Sequence, residues 1–348
     1  MEFIYKNNNK KLFLLKWNEY IKNNLVSYKY LLLNLEYFLL YSNHLLSDES
    51  FIVVENNECV GIAFVPIEKN NDIITISLAN GYVFVPLAKN KRIEKKIFEE
   101  LNAISNKYKI QKILFALDPL IIEYQEKFNI LLEYGFVDTS TSDCLIRLDY
   151  SKEKLWANLR KSYKSLINNI FKSDKFEILI YNYNNADYAI HENYRVLHEQ
   201  CSGGVTRVKG TFDKQFEMLE NNYATLIGLK YNDKFIGFNY FFHYDRTVIY
   251  ASGADDPQYE KSKIPIYHAI LWSAIVYFKE KKFEFIEFSQ PCGYNKLNGF
   301  NDYLDEKQIN ISHFKRGMGT RMITAFRGVK YLDREFFLKD INKFRSIL

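Results

Sequence analysis

Ala224-Thr225-Leu226-Ile227-Gly228-Leu229-Lys230, then Tyr231-Asn232-Asp233-Lys234, then Phe235-Ile236-Gly237-Phe238-Asn239-Tyr240-Phe241-Phe242-His243 decide how this chain folds. The outer stretches are rich in branched and aromatic residues, and the middle one carries adjacent Asn and Asp. That combination predicts two strands joined by a tight turn. Thr247 to Ser252 follows as a third strand, Ile264 to Lys279 as a helix and Phe283 to Phe288 as the next strand. A hairpin ahead of the helix makes the early sheet antiparallel, which argues against a parallel nucleotide-binding sheet.

The same order occurs earlier. Phe51 to Glu55 and Cys59 to Val65 flank Asn56-Asn57-Glu58, and Ile73 to Leu78 follows. Lys91 to Lys107 places Ile93, Ile97, Leu101 and Ile104 on one helical face, and Ile110 to Leu117 is the next strand. A further helix and a strand from Cys144 to Leu148 close this half. Gly61 and Gly237 occupy equivalent points, each the third residue after a turn. Around the repeats, residues 12 to 45, Trp156 to Phe171, Ala186 to Gln200 and Phe212 to Asn221 are expected to be helical, with Cys201 to Gly210 a loop. The pattern predicts an α+β fold of two domains, 1–150 and 151–348, each a mixed, largely antiparallel sheet flanked by helices.

A chain of 348 residues with 47% hydrophobic content is long enough for two buried cores. Its net charge of +5, from 47 basic and 42 acidic residues, suits an anionic cofactor or substrate and does not call for DNA. Cys59, Cys144, Cys201 and Cys292 are widely spaced with no CxxC pair, so no metal site is expected and a reducing cytoplasm fits. The start of the chain is polar and lysine-rich. The apolar run Tyr28 to Tyr41 is interrupted by Lys29, Asn34 and Glu36, so no membrane span is expected.

Three stretches carry a family resemblance. The first runs from Leu131-Leu132-Glu133-Tyr134-Gly135-Phe136 to Trp156-Ala157-Asn158-Leu159-Arg160-Lys161-Ser162. The second is His198-Glu199-Gln200-Cys201-Ser202-Gly203-Gly204-Val205-Thr206-Arg207. The third runs from Tyr250-Ala251-Ser252-Gly253-Ala254 through Pro265-Ile266-Tyr267-His268 to Phe288-Ser289-Gln290. With the doubled pattern, they resemble the FemAB superfamily of peptidoglycan-bridge aminoacyltransferases and their acetyltransferase relatives, which are built from two GNAT-like halves. The resemblance implies a GNAT/FemAB-like N-acyltransferase whose second half is catalytic and whose first half is structural or helps form the acceptor cleft. It implies acyl-CoA as co-substrate, or an aminoacyl-tRNA in a FemX-like reaction. The implied acceptor is an amino group of a cell-envelope sugar, sugar nucleotide or peptidoglycan precursor, as in polysaccharide biosynthesis. Neither half has the glycine-rich acyl-CoA loop of ordinary GNAT enzymes: Leu87-Ala88-Lys89-Asn90-Lys91-Arg92 and Glu260-Lys261-Ser262-Lys263-Ile264-Pro265 stand in its place. A non-catalytic binding module that kept the fold is the competing expectation.

Acyl transfer to an amine needs a base, a polarised carbonyl and a held anionic carrier. His198, Asp256 and His268 are candidates for proton transfer, against plainer roles as a helix cap, a turn start and a structural histidine. Ser262, Lys263 and Ile264 open a helix whose N-terminus can hold phosphate, with Ser262 as an ordinary N-cap the alternative. Lys315 and Arg316 add cations beside Gly317 and Gly319. Thr206 and Arg207 follow a glycine pair, and Ser289, Gln290 and Tyr294 lie at a strand end. These five are candidates for substrate contact.

Overall fold

The computed structural model describes residues 1–121 and 128–347. The chain divides into two compact units, Met1–Thr141 with Leu297–Tyr303 and Thr324–Leu348, and Ser142–Lys296 with Leu304–Ile323. The elements begin with β1 (Glu2–Tyr5), α1 (Lys10–Asn23), α2 (Leu32–Tyr41), β2 (Leu45–Asp48), β3 (Phe51–Glu55) and β4 (Glu58–Ala63). Then come β5 (Pro66–Asn70), β6 (Ile73–Ile76), β7 (Val83–Phe84), β8 (Leu87–Ala88), α3 (Lys91–Tyr108), β9 (Lys112–Ala116) and β10 (Val137–Asp138). β11 (Thr141–Arg147), α4 (Lys152–Asn158), α5 (Lys161–Phe171), β12 (Phe176–Tyr181), α6 (Tyr188–Cys201) and α7 (Lys209–Glu220) follow. Next are β13 (Ala224–Tyr231), β14 (Lys234–Tyr244), β15 (Thr247–Asp255), α8 (Ile266–Glu280) and β16 (Phe285–Glu287). The chain ends with β17 (Leu297–Gly299), β18 (Asp302–Tyr303), α9 (Glu306–Gly317), β19 (Arg321–Ala325), β20 (Arg327–Tyr331) and α10 (Arg334–Ile347). The fold is α+β with mixed, mostly antiparallel sheets.

The first unit holds one sheet ordered β1-β3-β4-β8 and another ordered β10-β20-β9-β6-β5-β2, with β7 also on β9. The second unit is organised on the sheet β12-β13-β14-β15-β16-β11-β19, in which β15 and β16 are parallel. Side chains alternate between its faces: Tyr240 meets His191 of α6, and Phe241 meets Phe278 of α8. The core beneath α8 includes Ile227, Leu229, Phe241, Ile270, Ile275 and Phe278, all essentially excluded from solvent. Each such side chain contributes roughly 1.5–3 kcal/mol through burial.

The doubled pattern survives in detail. Asn56 and Asn57 have φ of 50° and 64°, and Asn232 and Asp233 have 47° and 64°. Two consecutive left-handed residues give a two-residue turn whose twist matches its strands, and Asn and Asp tolerate that conformation. Each hairpin also has one extra residue just before its glycine. Val60 is left over between the pairs Val54–Cys59 and Val53–Gly61, and Ile236 between Lys230–Phe235 and Leu229–Gly237. A Cβ on Gly61 would lie 2.9 Å from Ile97 Cδ1, and one on Gly237 2.3 Å from Ile266 Cγ2. Each glycine therefore lets the helix that follows its hairpin settle on the sheet.

Several expected boundaries move. The stretch expected to be helical over residues 12 to 45 is two helices, separated at Asn24–Leu31 where Ser27 caps a short 3-10 turn, and its last residue, Leu45, opens strand β2. The helix expected over Trp156 to Phe171 breaks at Leu159-Arg160, where the Arg160 N–H donates to Gly317 O instead of continuing the helix. Of the helix expected between Pro119 and Cys144, the described part is a 3-10 turn at Ile130–Tyr134, and residues 122–127 lie outside the described residues.

Candidate active site

The site is built where β15 and β16 part. They pair only at Thr247–Phe285, Val248–Ile286 and Ile249–Glu287. Beyond Ile249, β15 keeps β14 on one side as far as Asp255 and, among the described residues, has no strand on the other. Its free backbone edge from Tyr250 onward can supply N–H donors to a polarised carbonyl. The chain leaves β16 in the opposite direction, with the Phe288 N–H donating to Cys144 O on β11.

Between β15 and α8 the chain makes a 3-10 turn, Pro257–Ser262, and Lys263 reverses it with φ 58°. α8 then starts at Ile266, two residues later than expected. Pro265 occupies its N-cap and provides no side-chain hydrogen bond. The Ile266 N–H reaches Ile264 O and the Ala269 N–H reaches Pro265 O. Among the described residues, the N–H groups of Tyr267 and His268 have no acceptor. An uncapped helix start of this kind favours an anion through its free donors and its dipole.

This start opens onto a cavity of about 760 Å³ lined by Asp255, Lys263, Ile264 and His268 together with Lys307 and Asn310 of α9. Asp255 is the polar centre of its wall: Tyr267 Oη donates to Asp255 Oδ1 at 2.8 Å and Cys201 Sγ at 3.1 Å. The His268 ring sits edge-on to Tyr163 and Phe314, with centroids 4.3 and 4.9 Å away. Burial, and then the nearby Arg160 guanidinium, lower its pKa to about 4, so it is a neutral imidazole at pH 7.

Beneath the cleft lies a residue that sequence reasoning missed. Asn239 of β14 is fully buried, and neither its Nδ2 nor its Oδ1 has a partner. It pairs across the sheet with Gly253. A Cβ on that glycine would meet Tyr250 Oη at 2.5 Å, Asn239 Oδ1 at 2.7 Å and Tyr267 Cε1 at 2.7 Å. Glycine thus lets two polar side chains converge beside the open edge of β15. An unsatisfied buried amide is costly, and such groups concentrate at functional sites. The signal in the sequence was one polar residue inside the apolar run Phe235 to Phe242.

The other candidates sort clearly. Lys263, Ile264 and His268 come together on the 760 Å³ cavity. Ser262 stands outside its lining, its hydroxyl donating to Tyr259 O. The side chain of Lys261 lies outside the described residues. Asp256 is a cap: it accepts from the Gln258 N–H and pairs with Lys234 at 2.7 Å, leaving Asp255 as the carboxylate on the cavity. Lys315, Arg316, Ser289, Gln290 and Tyr294 are not among the residues lining that cavity; the two cations tie down the chain that leaves β16. Lys315 Nζ donates to Ser289 O and Gln290 O, both at 2.9 Å, and Arg316 Nη1 donates to Gly293 O at 2.5 Å. Tyr294 is exposed, with its ring 4.0 Å from the Arg316 guanidinium.

His198, Thr206 and Arg207 are not among the residues lining that cavity. Arg207 is buried, donates to Tyr194 Oη and Gln215 Oε1, and lies 4.0 Å over the Phe212 ring, while Thr206 is exposed on the loop. His198 packs edge-on against Tyr194 and Phe212, and its buried Nδ1 has no partner. Burial foremost, then Arg207, lowers its pKa to about 4.

His191 and His243 are also held near 4, against an ordinary 6.5, with burial the leading cause. A histidine whose pKa is lower in the folded state stays neutral there while the unfolded chain takes up a proton. The stabilisation is complete above pH 6.5 and is lost as the pH falls toward 4. Each of these two buried rings gives a slope of up to about 1.4 kcal/mol per pH unit in that window. Urea denaturation at pH 7.5 and pH 5 is expected to show a clearly lower midpoint at pH 5, with a smaller drop in His243→Phe. Equal midpoints would contradict buried neutral histidines.

The chain's likeness to known proteins lies in its structure rather than in its sequence. Neither a family model nor a curated protein sequence matches it. Solved structures do: that of FemX superposes with a TM-score of 0.62 at 12% identity, covering 97% of this chain and 99% of that one. The chain has the FemX fold. L-PGS from Bacillus licheniformis follows it at a TM-score of 0.56 and 10% identity, over 89% of this chain and 95% of its own. A Bacteroides thetaiotaomicron protein of unknown function superposes at 0.52 and 13% identity, over 86% and 90% of the two chains. The FemX likeness spans both halves of the chain and bears out the expected α+β fold. Among the described residues, no helix is long and apolar enough to cross a membrane.

Proposed function

We propose that the chain is an N-acyltransferase whose reaction takes place on the second unit, at the parting of β15 and β16. The observation that carries this reading is the uncapped start of α8 facing the same 760 Å³ cavity as Asp255 and His268, beside the free edge of β15. In this reading the N–H groups of Tyr267 and His268, with Lys263, hold the phosphates of an acyl carrier. A backbone N–H on β15 polarises the acyl carbonyl. The Asp255 carboxylate orients the acceptor ammonium and, directly or through water, takes its proton as the amine attacks. The carbonyl carbon gains the C–N bond and loses its bond to the carrier, and no enzyme-bound intermediate is needed.

Acyl-CoA is the proposed donor, and the proposed acceptor is an amine on a cell-envelope sugar, sugar nucleotide, peptidoglycan precursor or lipid precursor. The likeness to FemX and L-PGS supports that class of acceptor at the level of fold. The FemAB resemblance of the sequence suggests a second version, in which the donor is an aminoacyl-tRNA. A thermal-shift titration separates them. Acetyl-CoA is expected to raise the melting temperature by several degrees at saturating concentration, and Lys263→Ala with Asp255→Asn to reduce that rise. No shift with acetyl-CoA but consumption of an aminoacyl-tRNA in the presence of a peptidoglycan precursor would replace the first version by the second. Silence toward both would defeat the enzyme reading.

A further inference from the structure

A second polar cavity, of about 340 Å³, lies in the same unit and takes no part in the chemistry above. Its wall carries Arg147 from β11, Arg316 from the end of α9 and Arg321 from the start of β19, with Tyr150, Asn158 and Thr320 between them. No carboxylate is among the residues that line it. Arg147 is paired with Asp149 at 2.6 Å, outside the lining, and Arg316 spends one nitrogen on Gly293 O. Arg321 is exposed and has no partner among the described residues. Because β11 and β19 are neighbours in the sheet, folding gathers like charges here that the sequence keeps far apart. Such a gathering is unfavourable until an anion enters it.

The backbone of the same wall is shaped for an anion. α9 ends at Gly317, Met318 follows with φ −78° and ψ 10°, and Gly319 follows with φ 83°. A right-handed residue followed by a left-handed one turns successive N–H groups toward one concavity, a recurrent anion cradle. The Met318 N–H is used by Lys315 O, whereas those of Gly319 and Thr320 have no acceptor among the described residues. A Cβ at Gly319 would lie 3.2 Å from Asn158, so this turn packs closely on the end of α4 and the cavity wall is built rather than loose.

We infer that this cavity is a binding site for the phosphate or diphosphate group of a small molecule, held by Arg147, Arg316 and Arg321 and by the free N–H groups of Gly319 and Thr320. Guanidinium forks match phosphate oxygens in pairs, and the backbone donors complete the shell. The site is separate from the start of α8, and the inference does not depend on acyl transfer.

Calorimetric titration of the full chain with inorganic pyrophosphate, at an ionic strength fixed with NaCl, tests it. The wild type is expected to bind one pyrophosphate at this site and to melt several degrees higher when saturated. The double variant Arg147→Ala with Arg321→Ala is expected to bind it at least about tenfold more weakly. Because both side chains reach solvent, the variant should fold, and an unchanged far-ultraviolet spectrum and ligand-free melt verify that. Lys263→Ala, which removes the cation at the start of α8, leaves this binding intact, and the double substitution is also made in that background. UDP and ADP run in parallel show whether a nucleoside adds affinity or bare diphosphate is the whole ligand; either supports the site if the double variant abolishes it. Pyrophosphate binding that survives the double substitution in the Lys263→Ala background, or a melt that NaCl alone raises equally, overturns the inference.

Discussion

Asn239→Leu is expected to make the protein more stable, by about 1–2 kcal/mol, while weakening the response to an acyl carrier. The amide is fully buried with both polar atoms unpartnered. Leaving buried donors and acceptors unsatisfied costs roughly 1–3 kcal/mol, and an apolar group of similar shape removes that cost. Leucine has the same branched outline with the same number of side-chain heavy atoms, and because its methyl groups are bulkier than the carboxamide, overpacking against Gly253 offsets part of the gain. The same change removes the carboxamide from the floor beneath Gly253. Urea midpoints of wild type and variant measure the first effect, and the acetyl-CoA thermal shift measures the second. A variant less stable than wild type would show that the amide is satisfied in solution, and an undiminished shift would remove Asn239 from the site.

Lys315→Met carries the opposite sign and a larger size, a loss of about 2–4 kcal/mol. Lys315 is nearly inaccessible, and its ammonium donates to both Ser289 O and Gln290 O. Methionine keeps the stem and removes the donors, so two carbonyls lose their charged partner. Burial lowers the lysine's own pKa, which means that desolvation offsets part of what its hydrogen bonds contribute. The net loss is therefore placed below the sum of two unmade bonds. Freed from Lys315, the segment Ser289–Gly293 loses its tie to α9, and the acetyl-CoA shift falls through the lost stability rather than a lost contact, since none of these residues lines the 760 Å³ cavity. Lys315→Arg, which keeps donors in reach, is expected to recover part of both. Calorimetric unfolding and the acetyl-CoA shift read the two effects, and a Lys315→Met protein as stable as wild type would contradict the clamp.

The parts of this fold written in short-range pattern were legible. Asn56-Asn57 and Asn232-Asp233 sit between branched and aromatic runs, and both became two-residue turns with left-handed centres. The stripe Ile93, Ile97, Leu101, Ile104 became the buried face of α3, capped by Asn90. Gly61 and Gly237 were matched by position alone, and the shared bulges at Val60 and Ile236 explain why position sufficed. What could not be read depends on long-range pairing. Nothing near Arg327 says that it will lie opposite Ala116. Asp255 and Asp256 are adjacent, and only the end of β15 decides that one lines a cavity while the other caps a turn. Arg207 follows a glycine pair in an exposed loop, yet Tyr194 and Gln215 draw it inward. Lys315 reads as an anion-binding cation, and only the fold brings Ser289 O and Gln290 O to its ammonium.

The placement of β20 also bears on how the protein is made. β20 lies between β10 and β9, pairing Val329 with Val137 and Arg327 with Ala116. During synthesis, β9 emerges from the ribosome long before the strand that covers this edge. The nascent first unit must therefore wait, with a hydrogen-bonding flank exposed, until Tyr331 has been added, and such open flanks invite pairing with other chains. The second unit needs nothing beyond Ile323 and can close earlier. Its completion before the first unit reverses the order in which the two begin to appear.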